Sequence, residues 1–378
     1  MKGSTFTTTS YPTVSVIVPA YNAESTLKLC LDAIASLDYP SEHLEVFLVD
    51  NGSTDATVQI ASQYNVTILH ELEVQSSYAA RNKGILASKG ELLAFTDSDC
   101  IVTTGWLKQL VRFWADSRFG CFAGEIEAYQ PESLVEIFSD REGILQQRGT
   151  LECPYLPYPQ TANAAYRRSV FDKIGLFVPE MTSGGDADLA WRMQKELGLK
   201  IKLVQEALVY HKHRTSIEGL YTQFKKYEYG KVFWKKHHPD YEMASVEQRQ
   251  KELHNRVEQH ICELKNKLVS LMRNEVDFVD FTSSFLRVLM SAGTFKARVE
   301  LEKSLDLAAL LQQEFGKSAG ETIELKKKYQ TEEEIIRQQA IIISEQQKRI
   351  ESLLGSASWR ITWPFRYAID CIKKLFSV

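Results

Sequence analysis

Short apolar runs alternate with amphipathic stretches over residues 14–209. Short, mostly apolar runs of four to six residues between turn residues are typical of buried strands, and such strands are predicted at 14–18, 44–49, 66–69 and 92–95. The stretches between them predict helices at 25–37, 55–64 and 78–87. Strands and helices that alternate through short loops favour an α/β fold with a parallel sheet.

The pattern changes beyond about residue 216. Residues 245–311 and 321–354 are rich in Glu, Lys, Gln and Leu and contain no proline, which predicts long helices. Ile336, Ile343 and Ile350 repeat at heptad spacing, but the positions between them are mostly polar. Two interpretations remain open: a coiled-coil seam that joins copies of the chain into a homo-oligomer, or a helix that packs along the preceding domain.

The last segment interleaves aromatic and basic side chains. The aromatic members are Trp359, Trp363, Phe365, Tyr367 and Phe376, and the basic members are Arg360, Arg366, Lys373 and Lys374. This composition suits the headgroup region of an anionic bilayer. Packing of the aromatics on the protein itself or on a partner chain is the alternative.

These changes in pattern divide the chain into five predicted regions. They are a flexible N-terminus (1–12), an α/β domain (13–240), a helical extension (241–320), a long helix or coiled coil (321–355) and an aromatic-basic tail (356–378).

Composition narrows the classes of function. The net charge of -4 over 378 residues provides no basic surface for nucleic acid, so nucleic-acid binding is excluded. The six cysteines form no C-x-x-C pair, which disfavours zinc and thioredoxin-type motifs. The polar start lacks the apolar region of a secretory signal, and no run of about 18 apolar residues occurs. We therefore expect a cytoplasmic protein, with the tail as a candidate contact to the inner face of the membrane.

Acidic residues follow two of the predicted strands, and a short turn follows a third. Asp50 ends the second strand, Asp97 and Asp99 follow the fourth, and residues 19–22 (PAYN) follow the first. In open α/β sheets, ligands bind beyond the carboxyl ends of the strands, so these groups are expected to converge. The G-x-G-x-x-G fingerprint is absent, so a nucleotide would be held in another way.

The pair Asp97 and Asp99 forms a D-x-D motif. Carboxylates repel a diphosphate, but they bind Mg²⁺ or Mn²⁺, which also accept phosphate oxygens and neutralise charge on a departing diphosphate. Surface turns with two aspartates are common, and the position after a buried strand favours the metal-binding interpretation.

A second acidic cluster, Asp186 and Asp188, follows two glycines and leads into an amphipathic helix. Residues two apart point to different faces of a helix, so the two aspartates should not share a role. Asp188 and Arg192 are four apart and predict a structural ion pair. Asp186 is either an acid that interacts with the helix dipole or a general base, which would have to be positioned and partly desolvated.

Four further polar residues are candidates for the same site. Arg81 could reach a phosphate or base, or it could be an exposed arginine; Asn163 could line a sugar pocket or cap a turn. His211 and His213 would share one face of a strand. A histidine beside carboxylates is a plausible metal ligand, and a buried structural histidine is the alternative; we favour His211 as the ligand.

Five motifs in order resemble the family 2 glycosyltransferases, which have the GT-A fold. They are residues 15–22 (SVIVPAYN), 48–55 (LVDNGSTD), 80–84 (ARNKG), 95–99 (FTDSD) and 185–192 (GDADLAWR). The resemblance covers about residues 12–235, and it implies a Rossmann-like mixed sheet flanked by helices. The ending at 356–366 also resembles the tail of some bacterial surface-polysaccharide transferases.

The resemblance implies a role for each matching residue. Pro19, Tyr21 and Asp50 would hold the nucleoside, Arg81 the nucleotide, and Asp97 the ribose or donor. Asp99 would bind the metal, and Asp186 would deprotonate the acceptor hydroxyl. The implied reaction inverts the anomeric centre in one in-line displacement from a UDP- or dTDP-sugar to a glycan or lipid-linked glycan acceptor.

Two positions depart from the family pattern. Gly185 stands where the family usually has Glu, and Cys100 stands where a residue after D-x-D is often acidic. A non-catalytic assembly protein that uses the same domain as a binding platform is the competing hypothesis. A nucleotidyltransferase would need a glycine-rich basic loop near the first strand, and residues 19–22 do not form one.

Overall fold

A computed structural model describes residues 11–241, 246–273, 275–277, 279–288, 290–291 and 294. These residues fall into two compact units, the first with residues 11–215 and 226–241 and the second with 216–225 and the described residues from 246 onward. The predicted coiled coil (321–355) and aromatic-basic tail (356–378) lie outside the described residues, as do most of the predicted N-terminus and part of the helical extension.

The first unit contains one eight-stranded sheet. Its strands are β1 (Val14–Ala20), β2 (Leu44–Asp50), β3 (Thr67–His70), β4 (Leu92–Phe95), β5 (Cys100–Val102), β6 (Phe119–Ala128), β7 (Ala164–Arg167) and β8 (Lys200–His211). Their order across the sheet is β3-β2-β1-β4-β7-β6-β8-β5.

The helices of the described residues follow the chain from α1 to α10. They are α1 (Leu27–Ala35), α2 (Thr57–Ala61), α3 (Ser77–Ala87), α4 (Trp106–Leu110), α5 (Leu134–Arg141), α6 (Gln147–Leu151), α7 (Arg168–Ile174), α8 (Gly185–Leu197), α9 (Ile217–His237) and α10 (Val246–Met272). Short 3₁₀ turns occur at Ser41–His43, Val111–Phe113 and Thr161–Asn163. The three helices predicted before residue 90 are present as α1, α2 and α3.

The sheet is mixed, and this corrects the parallel sheet that the apolar runs favoured. Strands β1 to β4 are parallel to one another, as predicted. Beyond β4, β7 pairs antiparallel with both β4 and β6, and β5 pairs antiparallel with β8. An apolar run indicates burial but not strand direction, so the pattern could not predict how the second half of the sheet pairs. The mixed sheet implied by the family resemblance is confirmed.

Helices cover both faces of the sheet, which explains why its central strands are largely apolar. Every residue of β1 is buried. Val16 and Val18 pack in one core with α1 residues such as Leu27, whereas Ile17 packs in the opposite core with Tyr78 of α3. Burial of successive residues on alternating faces fixes the register of β1 between β2 and β4.

In the second unit, the first part of the long helix predicted at 245–311 is present as α10, which ends at Met272. Residues 279–288 are also helical. The guanidinium of Arg287 lies 2.6 Å from the carboxylate of Glu263, and the hydroxyl of Ser284 donates to the same carboxylate at 3.1 Å. These contacts tie the second helical segment to α10.

Within the described part of the chain, none of the helices combines the length and apolar character needed to cross a bilayer.

Candidate active site

Three parallel strands end together at what we call the carboxyl edge, the edge of the sheet at the ends of β1, β2 and β4. Ala20 of β1 pairs with Asp50 of β2, and Ile17 of β1 pairs with Phe95 of β4. Asp97 follows two residues after β4, so Asp50 and Asp97 lie on either side of the end of β1. The predicted convergence of these two aspartates is therefore present in the geometry.

Asp50 is 3% exposed and is held by its own turn. One carboxylate oxygen accepts the backbone N–H of Ser53 at 3.1 Å, and the other lies 3.3 Å from Nδ1 of His70 at the end of β3. These partners fix the carboxylate at the carboxyl edge in one orientation. His70 keeps 51% of its side chain exposed, so the rim of this pocket is open to solvent.

The loop after β1 is fastened to the loop after β2. Pro19 lies within β1, and Tyr21 just beyond the strand is 51% exposed. Asn22 has a left-handed φ of 47°. Its backbone N–H donates to the hydroxyl of Ser53 at 2.9 Å, and its side-chain oxygen accepts from the N–H of Thr54 at 2.8 Å. The exposed Tyr21 thus lies on a fixed loop, one residue beyond the Ala20 that pairs with Asp50.

Arg81 on α3 lies in the interior, so the interpretation of an exposed arginine is wrong. Its side chain is 4% exposed, and one guanidinium nitrogen lies 2.5 Å from a carboxylate oxygen of Asp97. Its Nε is buried without a hydrogen-bond partner among the described residues. Arg81 thus anchors Asp97 and still carries an unused donor.

Asp186, the predicted base, lies in the first turn of α8 and is half-buried. Its carboxylate accepts the hydroxyl hydrogen of Thr161 at 2.8 Å. The 3₁₀ turn of Thr161 precedes β7, whose first residue Ala164 pairs with Phe95, so this contact brings Asp186 to the carboxyl edge. Burial raises the pKa of Asp186, and attraction to Arg81 offsets only part of that effect.

Asp188, two residues further, has a different environment, as predicted. It is 1% exposed, and its carboxylate contacts both Arg192 at 2.7 Å and Nε2 of His238 at 3.0 Å. Burial would raise the pKa of Asp188, but the bonds from His238 and Arg192 outweigh it and lower the pKa. The prediction of a structural pair between Asp188 and Arg192 is confirmed.

Asp99 and His211 are neighbours, although 112 positions separate them in the sequence. Nε2 of His211 lies 3.4 Å from a carboxylate oxygen of Asp99, and Arg214 approaches the other oxygen at 3.9 Å. Burial would raise the pKa of Asp99, but the attraction of His211 and Arg214 lowers it to about 2. Potential ligand atoms of Asp99, Cys100 and His211 all lie within 4.8 Å of one another.

His213 lies just after β8 and does not join that group. Its ring centroid is 5.2 Å from that of His211. Burial, followed by repulsion from His211, lowers the pKa of His213 to about 4. His213 is therefore neutral at physiological pH, and it lies outside the group formed by Asp99, Cys100 and His211.

Asn163 departs from the prediction that it lines a sugar pocket. It is fully buried, and its amide oxygen accepts from the indole N–H of Trp106 at 2.7 Å. Its amide nitrogen donates to the carbonyls of Glu125 at 2.7 Å and Ala207 at 2.8 Å. With these bonds made, Asn163 joins α4, β6 and β8 and has a structural role.

The departure at Gly185 has a steric cause. A Cβ atom at Gly185 would lie 2.8 Å from the ring of Tyr78, closer than side chains pack. Tyr78 is buried on α3, stacks with Phe177 at 5.5 Å and lies 5.4 Å from the Arg81 guanidinium. The Tyr78 ring therefore occupies the space into which a glutamate at position 185 would extend.

Three residues of this site were missed by sequence reasoning: Thr161, Tyr78 and Cys100. Thr161 and Tyr78 are ordinary polar and aromatic residues with no motif of their own. Cys100 stands out in the sequence only as a departure from an acidic pattern. The structure pairs Cys100 directly with His211, because the two residues lie opposite each other in β5 and β8.

Comparisons with known proteins identify the family to which the sequence belongs. The family described as "Glycosyl transferase family 2" matches residues 15–175. Glycosyltransferase AglE of Haloferax volcanii is 34% identical over 225 residues, which cover 58% of this chain and 73% of that protein. A pre-mycofactocin glycosyltransferase of Mycobacterium tuberculosis is 30% identical over 55% of this chain and 44% of its own length.

Among solved structures, one similar protein is glucosyl-3-phosphoglycerate synthase of Mycobacterium tuberculosis, in complex with Mn²⁺, UDP-glucose and phosphoglyceric acid. It is 22% identical, with a TM-score of 0.43, over 55% of this chain and 74% of that one. The family match and the relative from Haloferax volcanii carry the assignment, together with the mixed sheet and its flanking helices. The chain belongs to glycosyltransferase family 2 and is a glycosyltransferase with the GT-A fold.

Proposed function

We propose that this enzyme transfers a sugar from a UDP- or dTDP-sugar to a hydroxyl group of a surface glycan or its lipid-linked precursor, with inversion at the anomeric carbon. O-antigen, capsule and exopolysaccharide are the classes of product that the family resemblance and the sequence of the tail favour. Asp186 is the proposed general base.

One observation carries the proposal: the carboxylates of Asp97 and Asp186 both attract the buried guanidinium of Arg81. Asp97 follows a strand at the carboxyl edge, whereas Asp186 arrives on a helix 89 positions later in the sequence. Asp97 pairs directly with Arg81, and the charge of Arg81 also acts on Asp186, so the donor-side carboxylate and the candidate base are proposed to face a single sugar ring.

The state of Asp186 suits a general base. Because burial raises its pKa, its carboxylate binds a proton more readily than an ordinary aspartate does. In the proposed step, the acceptor hydroxyl gives its proton to Asp186 as its oxygen forms a bond to the anomeric carbon. The bond from that carbon to the phosphate oxygen breaks, and the nucleoside diphosphate leaves with the electron pair.

Other residues would hold the donor during this step. Asp50, with both oxygens already oriented, would accept from the base, and the exposed Tyr21 ring beside Pro19 would stack on it. Asp97 would accept from the ribose or the donor sugar. The Nε of Arg81, unpartnered among the described residues, supports a contact with the nucleotide, since a buried N–H without a partner is unfavourable.

Asp99 and His211 would hold a divalent cation, Mn²⁺ or Mg²⁺. The fit rests on the buried imidazole of His211, whose Nδ1 has no partner in the described part of the chain, and on its Nε2 lying 3.4 Å from Asp99. A cation bound there would neutralise charge on the diphosphate leaving group. His211 is 5% exposed and held in β8, so it is already oriented for this role.

A panel of nucleotide sugars tests the proposal. Purified full-length protein is expected to hydrolyse or transfer one UDP- or dTDP-sugar with Mn²⁺ or Mg²⁺, and Asp99→Ala should abolish this activity. Asp38→Asn is the matched control because Asp38 is exposed and pairs with Lys108 on the surface. Failure of every nucleotide diphosphate to bind in calorimetry, with and without metal, would contradict the proposal.

The competing function is a non-catalytic assembly protein. Asp186→Asn separates the two functions in cells because a binding platform should tolerate the loss of one charge, whereas an enzyme should lose its glycan product. The partners of Asp186 favour the enzymatic function. Its carboxylate is only partly satisfied by hydrogen bonds, whereas a carboxylate with a structural role is expected to be fully paired, as that of Asp188 is.

Cytoplasmic location, contact of the tail with the inner membrane surface and self-association through the C-terminal helices remain part of the proposal. Deletion of the residues after Gly355 should move the protein from the membrane pellet to the supernatant. An unchanged distribution would contradict membrane contact by the tail.

A further inference from the structure

We propose that the thiolate of Cys100 is a third protein ligand of the cation held by Asp99 and His211. The centre would then prefer cations that accept sulfur, such as Co²⁺, Zn²⁺, Cd²⁺ and, less strongly, Mn²⁺, over Mg²⁺. This inference rests on the proposed metal role of Asp99 and His211 and adds a ligand and a preference among metals.

The pairing of two strands places the thiol beside the imidazole. Cys100 and His211 are directly opposite each other in the antiparallel pair of β5 and β8. Directly opposed residues in an antiparallel pair project on the same face of the sheet, with Cβ atoms about 4.5–5.5 Å apart. The pairing accounts for Cys100 and His211, and the carboxylate of Asp99, the residue before β5, lies with one oxygen 3.4 Å from Nε2 of His211.

The distances between the donor atoms suit one small cation. The Asp99 oxygen lies 3.4 Å from Nε2 of His211 and 4.0 Å from Sγ of Cys100. The ligand atoms of all three residues lie within 4.8 Å of one another. Metal–ligand distances of about 2.0–2.3 Å bring ligands of one tetrahedral ion to about 3.3–3.8 Å from each other. The donor atoms of Cys100 would have to move toward those of Asp99 and His211 by less than about 1.5 Å to reach these distances.

The interior offers these donors little else to bind. Cys100 is fully buried, and its contact with Asp99 at 4.0 Å is at the outer limit for a hydrogen bond from sulfur. His211 is 5% exposed, and its Nδ1 has no partner among the described residues. Arg214 is the competing cation at 3.9 Å, but its side chain is 56% exposed and can turn into solvent.

The donor set determines which cation is preferred. Mg²⁺ requires oxygen ligands and retains several waters, whereas thiolate and imidazole suit Zn²⁺ and its neighbours in the first transition series. A thiol that coordinates a cation does so as the thiolate, and its proton is released to solvent. The proposed centre has one sulfur, one nitrogen and one oxygen ligand. It therefore differs in its metal preference from a D-x-D site with oxygen ligands only.

Cobalt substitution tests the inference through absorption, independently of catalysis. Full-length protein titrated with Co²⁺ should develop a near-ultraviolet band from thiolate-to-cobalt charge transfer. Cys100→Ser should abolish that band and weaken Co²⁺ binding at least about tenfold, since changes around metal ligands typically alter affinity 10–100-fold. Mg²⁺ binding should change far less.

Cys30→Ser is the matched control. Cys30 is equally buried, and its sulfur faces the backbone carbonyl of Asp97 at 3.5 Å, but it is not a member of the ligand cluster. The charge-transfer band should persist in this variant. If the Cys100 variant does not fold, the ¹¹³Cd chemical shift of the wild-type protein distinguishes a sulfur ligand from a set of nitrogen and oxygen alone.

The possible outcomes separate the two proposals. Cobalt that binds with visible d–d bands but without a charge-transfer band, or with a band that survives Cys100→Ser, overturns the role of Cys100 and leaves the metal role of Asp99 and His211 standing. Absence of any cobalt binding overturns both. Tighter binding of Mg²⁺ than of Co²⁺ also overturns the inferred preference.

Discussion

On the first turn of α8, Asp186 and Asp188 are two residues apart, yet their side chains lie in regions of opposite character. Asp188 points into the interior, where two hydrogen-bond donors, Arg192 and His238, satisfy its carboxylate and lower its pKa. Asp186 points toward the carboxyl edge, where Thr161 is its hydrogen-bond donor and burial raises its pKa. A fully paired carboxylate thus stabilises the fold, whereas an incompletely paired one is available for chemistry.

The largest expected effect is on turnover. Asp186→Asn should lower kcat by about 10²- to 10⁴-fold, the usual contribution of a general base, with little change in KM for the donor. Single-turnover assays with the identified nucleotide sugar measure this. A kcat within threefold of that of Asp38→Asn would end the assignment of Asp186 as the base.

Asp188 should show the reverse behaviour, with the effect on stability. Asp188→Ala leaves Arg192 and His238 without their shared partner in the interior, which should cost about 3–5 kcal/mol of unfolding free energy. The stabilisation from the lowered pKa is present above the ordinary aspartate range and is lost as the pH falls through that lowered pKa. Urea titrations at several pH values measure both effects, and a change below about 1 kcal/mol would show that Asp188 is not structural.

The glycine before Asp186 provides a steric test of the same turn. Gly185→Ala places a methyl group 2.8 Å from the Tyr78 ring and should destabilise the protein by about 1–3 kcal/mol. It should also lower kcat, because Asp186 is the next residue. Gly149→Ala is the control: it lies in α6 with none of the described atoms near its Cβ, so a small gain in stability is expected.

The smallest expected effect is a gain in thermal stability. Because the pKa of Asp186 is raised in the folded state, its ionised form weakens folding once the pH rises through that pKa. Asp186→Asn should therefore raise the melting temperature at neutral pH, and the difference should vanish in acid, where the wild-type carboxyl is protonated. An equal or lower melting temperature at neutral pH would contradict the raised pKa.

The placement of Asp50 and Asp97 at the carboxyl edge could be predicted from the sequence. Strands β1, β2 and β4 are short and mostly apolar, Asp50 is the last residue of β2, and Asp97 comes two residues after β4. The alternation of strands and helices, with the rule that ligands bind beyond strand ends, was therefore sufficient. The role of Asn163 was not predictable because it depends on Trp106, Glu125 and Ala207, which are 38 to 57 positions away in the sequence. Local pattern carries no information about such contacts.

The remaining differences have the same origin. The contact between Tyr78 and Gly185 joins α3 to α8, and the pairing of Cys100 with His211 depends on the antiparallel direction of β5. Both follow from the course of the chain after β4, where apolar runs predict burial but not direction. The residues that sequence reasoning missed therefore cluster where distant parts of the chain meet.

The most direct test is a crystal structure of the full-length protein with a nucleoside diphosphate and Mn²⁺, recorded at the manganese absorption edge. The anomalous peak of the manganese should lie beside Asp99 and His211. The nucleobase should lie against Asp50 and Tyr21, and Asp186 should face the side of the diphosphate from which the acceptor would approach. Nucleotide or manganese bound away from these groups would contradict the convergence of the four aspartates on one site.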